Sequence, residues 1–170
     1  MLEIRLAQPQ DATALSKLAR HTFVESFAQF NTPENMDQYL RENFSPTRQR
    51  SEIENPQRKI AIVWHAEEAI GFYHLVRGET IQCVSGTRPI QLLKFYIDSK
   101  WHGKSVSKML MDHCIEECRR ENFSTLWLGV WEQNFRAQTF YRKYAFKEVG
   151  TFDFILGEDR QIDLVMVKPI

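Results

Sequence analysis

The stretch of this chain best suited to chemistry is an apolar run, Leu92-Leu93-Lys94-Phe95-Tyr96-Ile97, that leads through Asp98-Ser99-Lys100-Trp101 into His102-Gly103-Lys104-Ser105-Val106-Ser107-Lys108. It reads as a buried strand passing through a short loop into a helix. Amides at a helix start have no internal partner, and the helix dipole favours an anion there. Gly103 and the small serines leave room for a phosphate near the main chain, and Lys100, Lys104 and Lys108 add positive charge. A phosphate loop and a solvated, lysine-bearing helix start fit this segment equally well. Gly103-Lys104-Ser105 also matches the end of a P-loop. That motif needs Gly five residues before its second Gly, where this chain has Asp98. A carboxylate there would repel a phosphate, and its Cβ would block the tight turn. The strand that would supply a metal-binding Asp is missing too, since Thr125 to Val130 leads to Trp131-Glu132.

Other reactive side chains carry less. Cys83, Cys114 and Cys118 are an odd number and too few for a disulfide framework. Cys114 and Cys118 lie one helical turn apart with no further ligands nearby, so they read as core thiols and no metal site is expected. His21, His65, His74 and His113 show no ligand spacing. Tyr141 alone reads as a core aromatic, and Trp127 and Trp131 as core packing.

The elements that position these residues follow from periodicity. Leu2 to Leu6 alternates as a short strand. Pro9 and Asp11 open a helix with Leu15, Leu18, Thr22, Phe23 and Phe27 on one face, and Thr32-Pro33 and Ser45-Pro46 cap two more. After Pro56 the texture becomes β-branched and aromatic, predicting strands over 59–64, 69–76 and 89–97. A helix is predicted from about Gly103 to Glu121, with Val106, Met109, Leu110, His113, Cys114 and Cys118 on its buried stripe. A strand (125–130), a helix (134–144) and two strands (146–156 and 161–167) follow, the last two joined by a turn at Gly157-Glu158-Asp159-Arg160. This order predicts one α/β or α+β domain over residues 1–170 with a mixed sheet.

From Leu92 onward the chain resembles the GNAT family of N-acetyltransferases. Their signature, Gln/Arg-x-x-Gly-x-Gly/Ala after a strand, falls on His102-Gly103-Lys104-Ser105-Val106-Ser107. A later Asn with an aromatic pair falls on Asn134-Phe135-Arg136-Ala137-Gln138-Thr139-Phe140-Tyr141. Within the family the PaiA-type polyamine acetyltransferases are most similar. They share Trp127 to Glu132 before Asn134, Gly157-Glu158-Asp159 followed by Gln161, Asp163-Leu164 and Met166, and the early Thr22-Phe23, Phe27, Pro33 to Met36 and Tyr39-Leu40.

The resemblance implies a twisted, mostly antiparallel mixed sheet of six to seven strands, flanked by helices and splayed at the cofactor site. It implies acetyl-CoA as co-substrate, held by backbone groups of Phe95, Tyr96 and Ile97, by the loop from His102 through Lys108, by Asn134 and by Lys143. Tyr141 is then the acid that protonates the leaving thiolate, and transfer is direct, to a small-molecule primary amine in a ternary complex; polyamines are included. Amine attack on a thioester is largely a positioning problem, with about 7–11 kcal/mol available from juxtaposing bound reactants. A phenol of pKa about 10 can still donate to a thiolate at neutral pH. The terminal strands mediate dimers in relatives, so a homodimer is within what the resemblance implies.

The chain departs from the pattern in places. Ser105 and Ser107 replace the usual Gly or Ala, adding bulk beside the pyrophosphate position although Ser can keep a helical backbone. His102 replaces Gln or Arg. Gln91 stands where relatives carry a Glu proposed as general base, leaving the base unnamed. Glu25, Glu34 and Asp37 are candidates for gripping a substrate cation. These departures also fit a CoA-binding regulator that has lost catalysis.

Composition bounds the rest. Lys plus Arg and Asp plus Glu are both 22, so the net charge is zero, which argues against nucleic acid as a bulk partner. Neither a signal-peptide layout nor an apolar run of about 18 residues is present, predicting a cytoplasmic protein with no membrane partner. The neutrality is a sum of patches: residues 94–108 hold four Lys against one Asp, and residues 148–163 hold five acids against Arg160.

Overall fold

The computed structural model describes all residues, Met1 to Ile170. Its elements are β1 (Leu2–Leu6), α1 (Ala12–Phe27), α2 (Pro33–Asn43), α3 (Pro46–Glu54), β2 (Arg58–His65), β3 (Glu68–Arg77), β4 (Pro89–Ile97), α4 (Val106–Arg120), β5 (Thr125–Trp131), α5 (Phe135–Lys143), β6 (Lys147–Leu156) and β7 (Asp159–Pro169). The strands form one seven-stranded sheet in the order β1-β2-β3-β4-β5-β7-β6. Every neighbouring pair is antiparallel except β4 and β5. The expected mixed, mostly antiparallel sheet flanked by helices is therefore observed.

Helices cover both faces, so the central strands read as near-continuous apolar runs. Along β2, Ala61 and Val63 join the core under α4 and α5, while Ile60, Ile62 and Trp64 join the core under α1 to α3. The caps fall as the sequence predicts: Thr32 Oγ1 accepts from the Asn35 amide and Ser45 Oγ from the Arg48 amide, each with Pro as the first helical residue.

One boundary and one buried face in α4 differ from expectation, each for an identifiable reason. α4 starts at Val106 rather than near Gly103, because Gly103 (φ +76°) and Ser105 (φ +63°) are left-handed. The serine at 105 therefore does not keep a helical backbone. Met109 is exposed and His113 half-buried, whereas Met111 and Ile115 are buried, because α4 packs through the stripe 106, 110, 111, 114, 115, 118.

The feature that makes a site is the seam between β4 and β5. They pair only at Pro89, Ile90 and Gln91 against Thr125, Leu126 and Trp127. Past that point β4 stays with β3 as far as Ile97, and β5 stays with β7 as far as Trp131. Leu93 has no partner on β3, since Leu92 faces Leu75 and Lys94 faces His74. Such a bulge bends and twists its strand, and here it falls just where the two strands part.

Gly129 on β5 lies where a Cβ would come within 2.5 Å of the Phe152 ring and 3.2 Å of Asp163 Oδ2. Gly129→Ala is therefore expected to lower stability by about 1–3 kcal/mol, read from urea unfolding. Adding Phe152→Leu should recover part of the loss.

Candidate functional site

The parted strands open onto a cavity of about 140 Å³ lined by Leu92 to Tyr96 of β4, Gly129 to Trp131 of β5, and Asn134, Ala137 and Tyr141 of the α5 segment. The N-terminal helices roof it with Phe23, Phe27, Tyr39 and Phe44; Phe154, Gln161 and Asp163 close it from β6 and β7. The aromatic rings pack on one another: Phe23 stacks on Tyr39 at 4.7 Å, and Trp131 meets Phe27 at 5.9 Å and Phe30 at 4.8 Å.

Tyr141 is 8% exposed and its hydroxyl makes no hydrogen bond within the chain. Burial, with Cys114 nearby, pushes its phenol well above the ordinary range, so it stays protonated at neutral pH. Asn134 caps α5, its Oδ1 accepting from the Ala137 amide at 3.1 Å, and it lines the cavity with its NH₂ group making no hydrogen bond within the chain. Phe95 stacks on Phe140 at 5.6 Å and meets Tyr141 edge-on. Tyr96 also lines the cavity, and burial raises its phenol well above the usual value. Ile97 is buried in the core below, and its carbonyl accepts from the His102 ring at 3.0 Å.

That contact folds the His102 side chain back onto its own strand and leaves the loop's main chain outermost. The amides of Ser105, Val106, Ser107 and Lys108 donate to nothing within the chain, and α4 directs its positive end toward them. Lys104 lies over the Trp101 ring at 5.0 Å, and Lys108 pairs with Asp112 at 2.6 Å. Val106 is wholly buried, so it contributes its amide alone, and Lys143 is exposed on α5 with no ion pair. Open amides beside lysines at the mouth of an apolar cavity suit a pyrophosphate carrying a flexible, uncharged arm, which is the fit acetyl-CoA requires.

The three carboxylates expected to grip a cation do not line this cavity. Glu25 accepts from the Ser99 amide and hydroxyl and sits 3.3 Å from His21, tying α1 to the turn after β4. Asp37 pairs with Arg41 on the exposed face of α2, and Glu34 is exposed in the first turn of that helix. α1 and α2 supply walls of the cavity, and the connection between β3 and β4 supplies none.

The cavity's acid is instead Asp163, the only carboxylate in its lining. It is 9% exposed, Oδ1 has no partner, and burial pushes its pKa up to about 6. Gln161, two residues earlier on the same strand face, is 8% exposed and its Oε1 is also unpartnered. Burial, then the Asp163 and Glu52 carboxylates, pushes the Tyr39 phenol up to about 12. Lys94 reaches Glu52 at 3.6 Å and lies over Phe44 at 4.8 Å; burial lowers its pKa in spite of Glu52. Alternation along β7 marked Asp163 as a strand position, but no local pattern shows that β6 and β7 bring it against the splayed seam.

These features are those of an acyl-transfer enzyme, and comparison with known proteins agrees. The chain belongs to the Acetyltransferase (GNAT) family, whose model matches residues 20–146, and acetyl-CoA is therefore its expected co-substrate. It is 31% identical over 160 residues to an uncharacterized N-acetyltransferase of Mycobacterium tuberculosis, covering 94% of this chain and 98% of that one. It is 25% identical over 161 residues to a spermidine N(1)-acetyltransferase of Thermoplasma acidophilum, covering 91% and 95%. The fold matches the crystal structure of a PaiA N-acetyltransferase from Thermoplasma acidophilum in complex with coenzyme A, with TM-score 0.80, 22% identity and coverage of 100% and 99%. A probable acetyltransferase from Staphylococcus epidermidis superposes with TM-score 0.77 at 18% identity, covering 99% of each chain.

Two expectations follow from the site. Ser105→Gly removes a side chain from a left-handed position and should stabilise the protein by about 1 kcal/mol, measured by thermal unfolding. Asp163 has a folded pKa of about 6 against an ordinary 3.8. Its contribution to stability is therefore fullest below about 4, falls as pH rises toward 6, and stays low above that. Asp163→Asn should remove this component, so the variant should gain on the wild type in urea midpoint as pH rises from 4 to 7.

Proposed function

We propose that the protein transfers the acetyl group of acetyl-CoA directly to a primary amine of a small molecule, both substrates being bound together, with Tyr141 as the acid for the departing thiolate. The observation that carries this is the Tyr141 hydroxyl, buried at the opened seam, protonated and without an internal partner. Main-chain groups of Phe95, Tyr96 and Ile97 hold the arm of the co-substrate and Asn134 donates its free amide N–H to it. The amides of 105–108 hold the pyrophosphate, with Lys104, Lys108 and Lys143 supplying charge. Leu93, the bulged residue at the parting of the strands, offers its backbone N–H to the carbonyl oxygen that gains charge during transfer, a role that its lack of a partner on β3 supports.

Polyamines belong in the first panel of acceptors: the likeness to the Thermoplasma spermidine N(1)-acetyltransferase supports them. Wild-type protein is expected to release CoA thiol from acetyl-CoA in the presence of such amines. Tyr141→Phe should lower kcat about 100-fold or more and leave CoA affinity unchanged. Full activity in Tyr141→Phe would remove Tyr141 from its role. CoA binding with no turnover on any amine would mark a regulator.

A further inference from the structure

We infer that Gln161 and Asp163, neighbours on one face of β7, form the site for the acceptor's ammonium group, and that Asp163 takes the proton this group must lose before it can attack. The inference rests on the acetyltransferase reading above and gives the reaction the base that Gln91 cannot supply.

Buried polar atoms are nearly always paired, so each exception needs an explanation. Five buried side-chain atoms in this chain lack a partner, and two of them, Gln161 Oε1 and Asp163 Oδ1, belong to residues lining the same cavity. Both are acceptors and both residues are more than nine-tenths buried. Two unsatisfied acceptor oxygens, one of them charged, call for a cationic donor.

The orientation of the Gln161 amide is fixed by its neighbours. The Asn31 NH₂ donates to the Phe27 carbonyl at 2.8 Å, which turns Asn31 Oδ1 toward Gln161. Gln161 Nε2 then donates to Asn31 Oδ1 at 2.8 Å and to Asp159 Oδ2 at 3.1 Å. Reversing the Gln161 amide would set its oxygen against two other oxygens. Oε1 therefore stays as the oxygen left over for a ligand. Around the pair, Phe23, Tyr39, Phe154 and Trp131 provide aromatic faces that favour a cation. The ligand class is thus a primary ammonium on an apolar or aromatic carbon skeleton, with any further charge of the molecule outside the cavity.

The proton ledger closes. An alkylammonium of pKa about 10 is neutral only about 0.1% of the time at pH 7. The ammonium gives one proton to the Asp163 carboxylate, which passes it to solvent. The amine nitrogen forms a bond to the thioester carbon as the C–S bond breaks. Tyr141 protonates the sulfur and is restored by the second proton released from nitrogen, giving amide, thiol and one H⁺.

The other titratable groups sharing the cavity are Tyr39 from α2, Lys94 and Tyr96 from β4, and Tyr141 from α5. Burial keeps the three phenols protonated, and Lys94 is drawn to Glu52. The packed residues of α1, β5 and β6 are Phe23, Phe27, Gly129, Trp131 and Phe154, none of which titrates. An acid limb near pH 6 therefore belongs to Asp163.

The test uses full-length protein with acetyl-CoA, and phenethylamine and spermidine as separate acceptors. For the wild type, kcat/KM should fall below about pH 6. Asp163→Asn should lower kcat about 100-fold at pH 7.5 and abolish that limb, and Asp163→Glu should restore part of both. Gln161→Leu should raise KM for the amine about tenfold and keep the limb. Calorimetric affinity for CoA should be unchanged in all three, while affinity of the CoA complex for phenethylamine should drop at least tenfold in Asp163→Asn. If the wild type acetylates neither amine yet Asp163→Asn still loses amine affinity, the transfer reading falls and the ammonium site stands. An Asp163→Asn protein with wild-type amine affinity and pH profile would overturn the inference, and so would one that loses CoA affinity as well.

Discussion

The rest of this molecule depends on how briefly β4 and β5 pair. A parallel ladder that ran to the ends of both strands would satisfy their backbones and close the sheet. Here the ladder stops after Gln91 and Trp127, and each strand leans on its other neighbour for register. The inner edges past that point carry polar groups that a folded chain must satisfy by some means. Aromatic side chains from both sheet faces fill the width of the gap without supplying the missing hydrogen bonds. The interior is thus left ready for an extended, amide-bearing ligand to take up the role of the absent strand.

Much of this was legible from residue types and periodicity. The strand lengths from β2 to β5, the proline-started helices with their Ser and Thr caps, and the turn at Gly157 all follow from local rules. The Asn134 to Tyr141 spacing places a cap at one end of a two-turn helix and a phenol on its inner face. The parting of β4 from β5 was not readable in the same way, since it depends on which strand each one prefers as neighbour. Ser105 misled for a local reason: a serine that could begin a helix instead takes the left-handed position that ends the loop. Asp163 was visible only as part of a family resemblance, because its meaning comes from burial against residues more than a hundred positions earlier. Glu25, by contrast, looked available and is spent on the turn after β4.

Charge in this protein is placed at two very different costs. The pair Arg5–Asp11 and the cluster joining Lys59 and Arg77 to Glu117 and Glu121 set opposite charges within hydrogen-bond reach. Arg5, Asp11, Lys59, Glu117 and Glu121 have their charged forms strengthened on folding. The cavity groups are treated the opposite way: Asp163 is desolvated without a partner of opposite sign, Lys94 is desolvated more than Glu52 at 3.6 Å offsets, and both have pKa values moved toward neutrality. The fold thus gives up stability at the seam and recovers it in ion pairs elsewhere, the pattern expected where a site must meet its ligand unsatisfied.

The Asn31–Gln161 contact has a consequence for how selectivity is written into the chain. The Gln161 amide is symmetric in shape, so its outward polarity is decided by the two acceptors behind it, Asn31 Oδ1 and Asp159 Oδ2. With Asn31 accepting, an oxygen faces inward. Donors at both positions 31 and 159 would favour the opposite orientation and present an NH₂ group to the same volume. The polarity of the wall at Gln161 is therefore stored in residues that lie outside the cavity, Asn31 between α1 and α2 and Asp159 at the start of β7. A change at those two residues would alter the polarity a guest meets at Gln161 while leaving the Asp163 carboxylate, and every other lining residue, as it was.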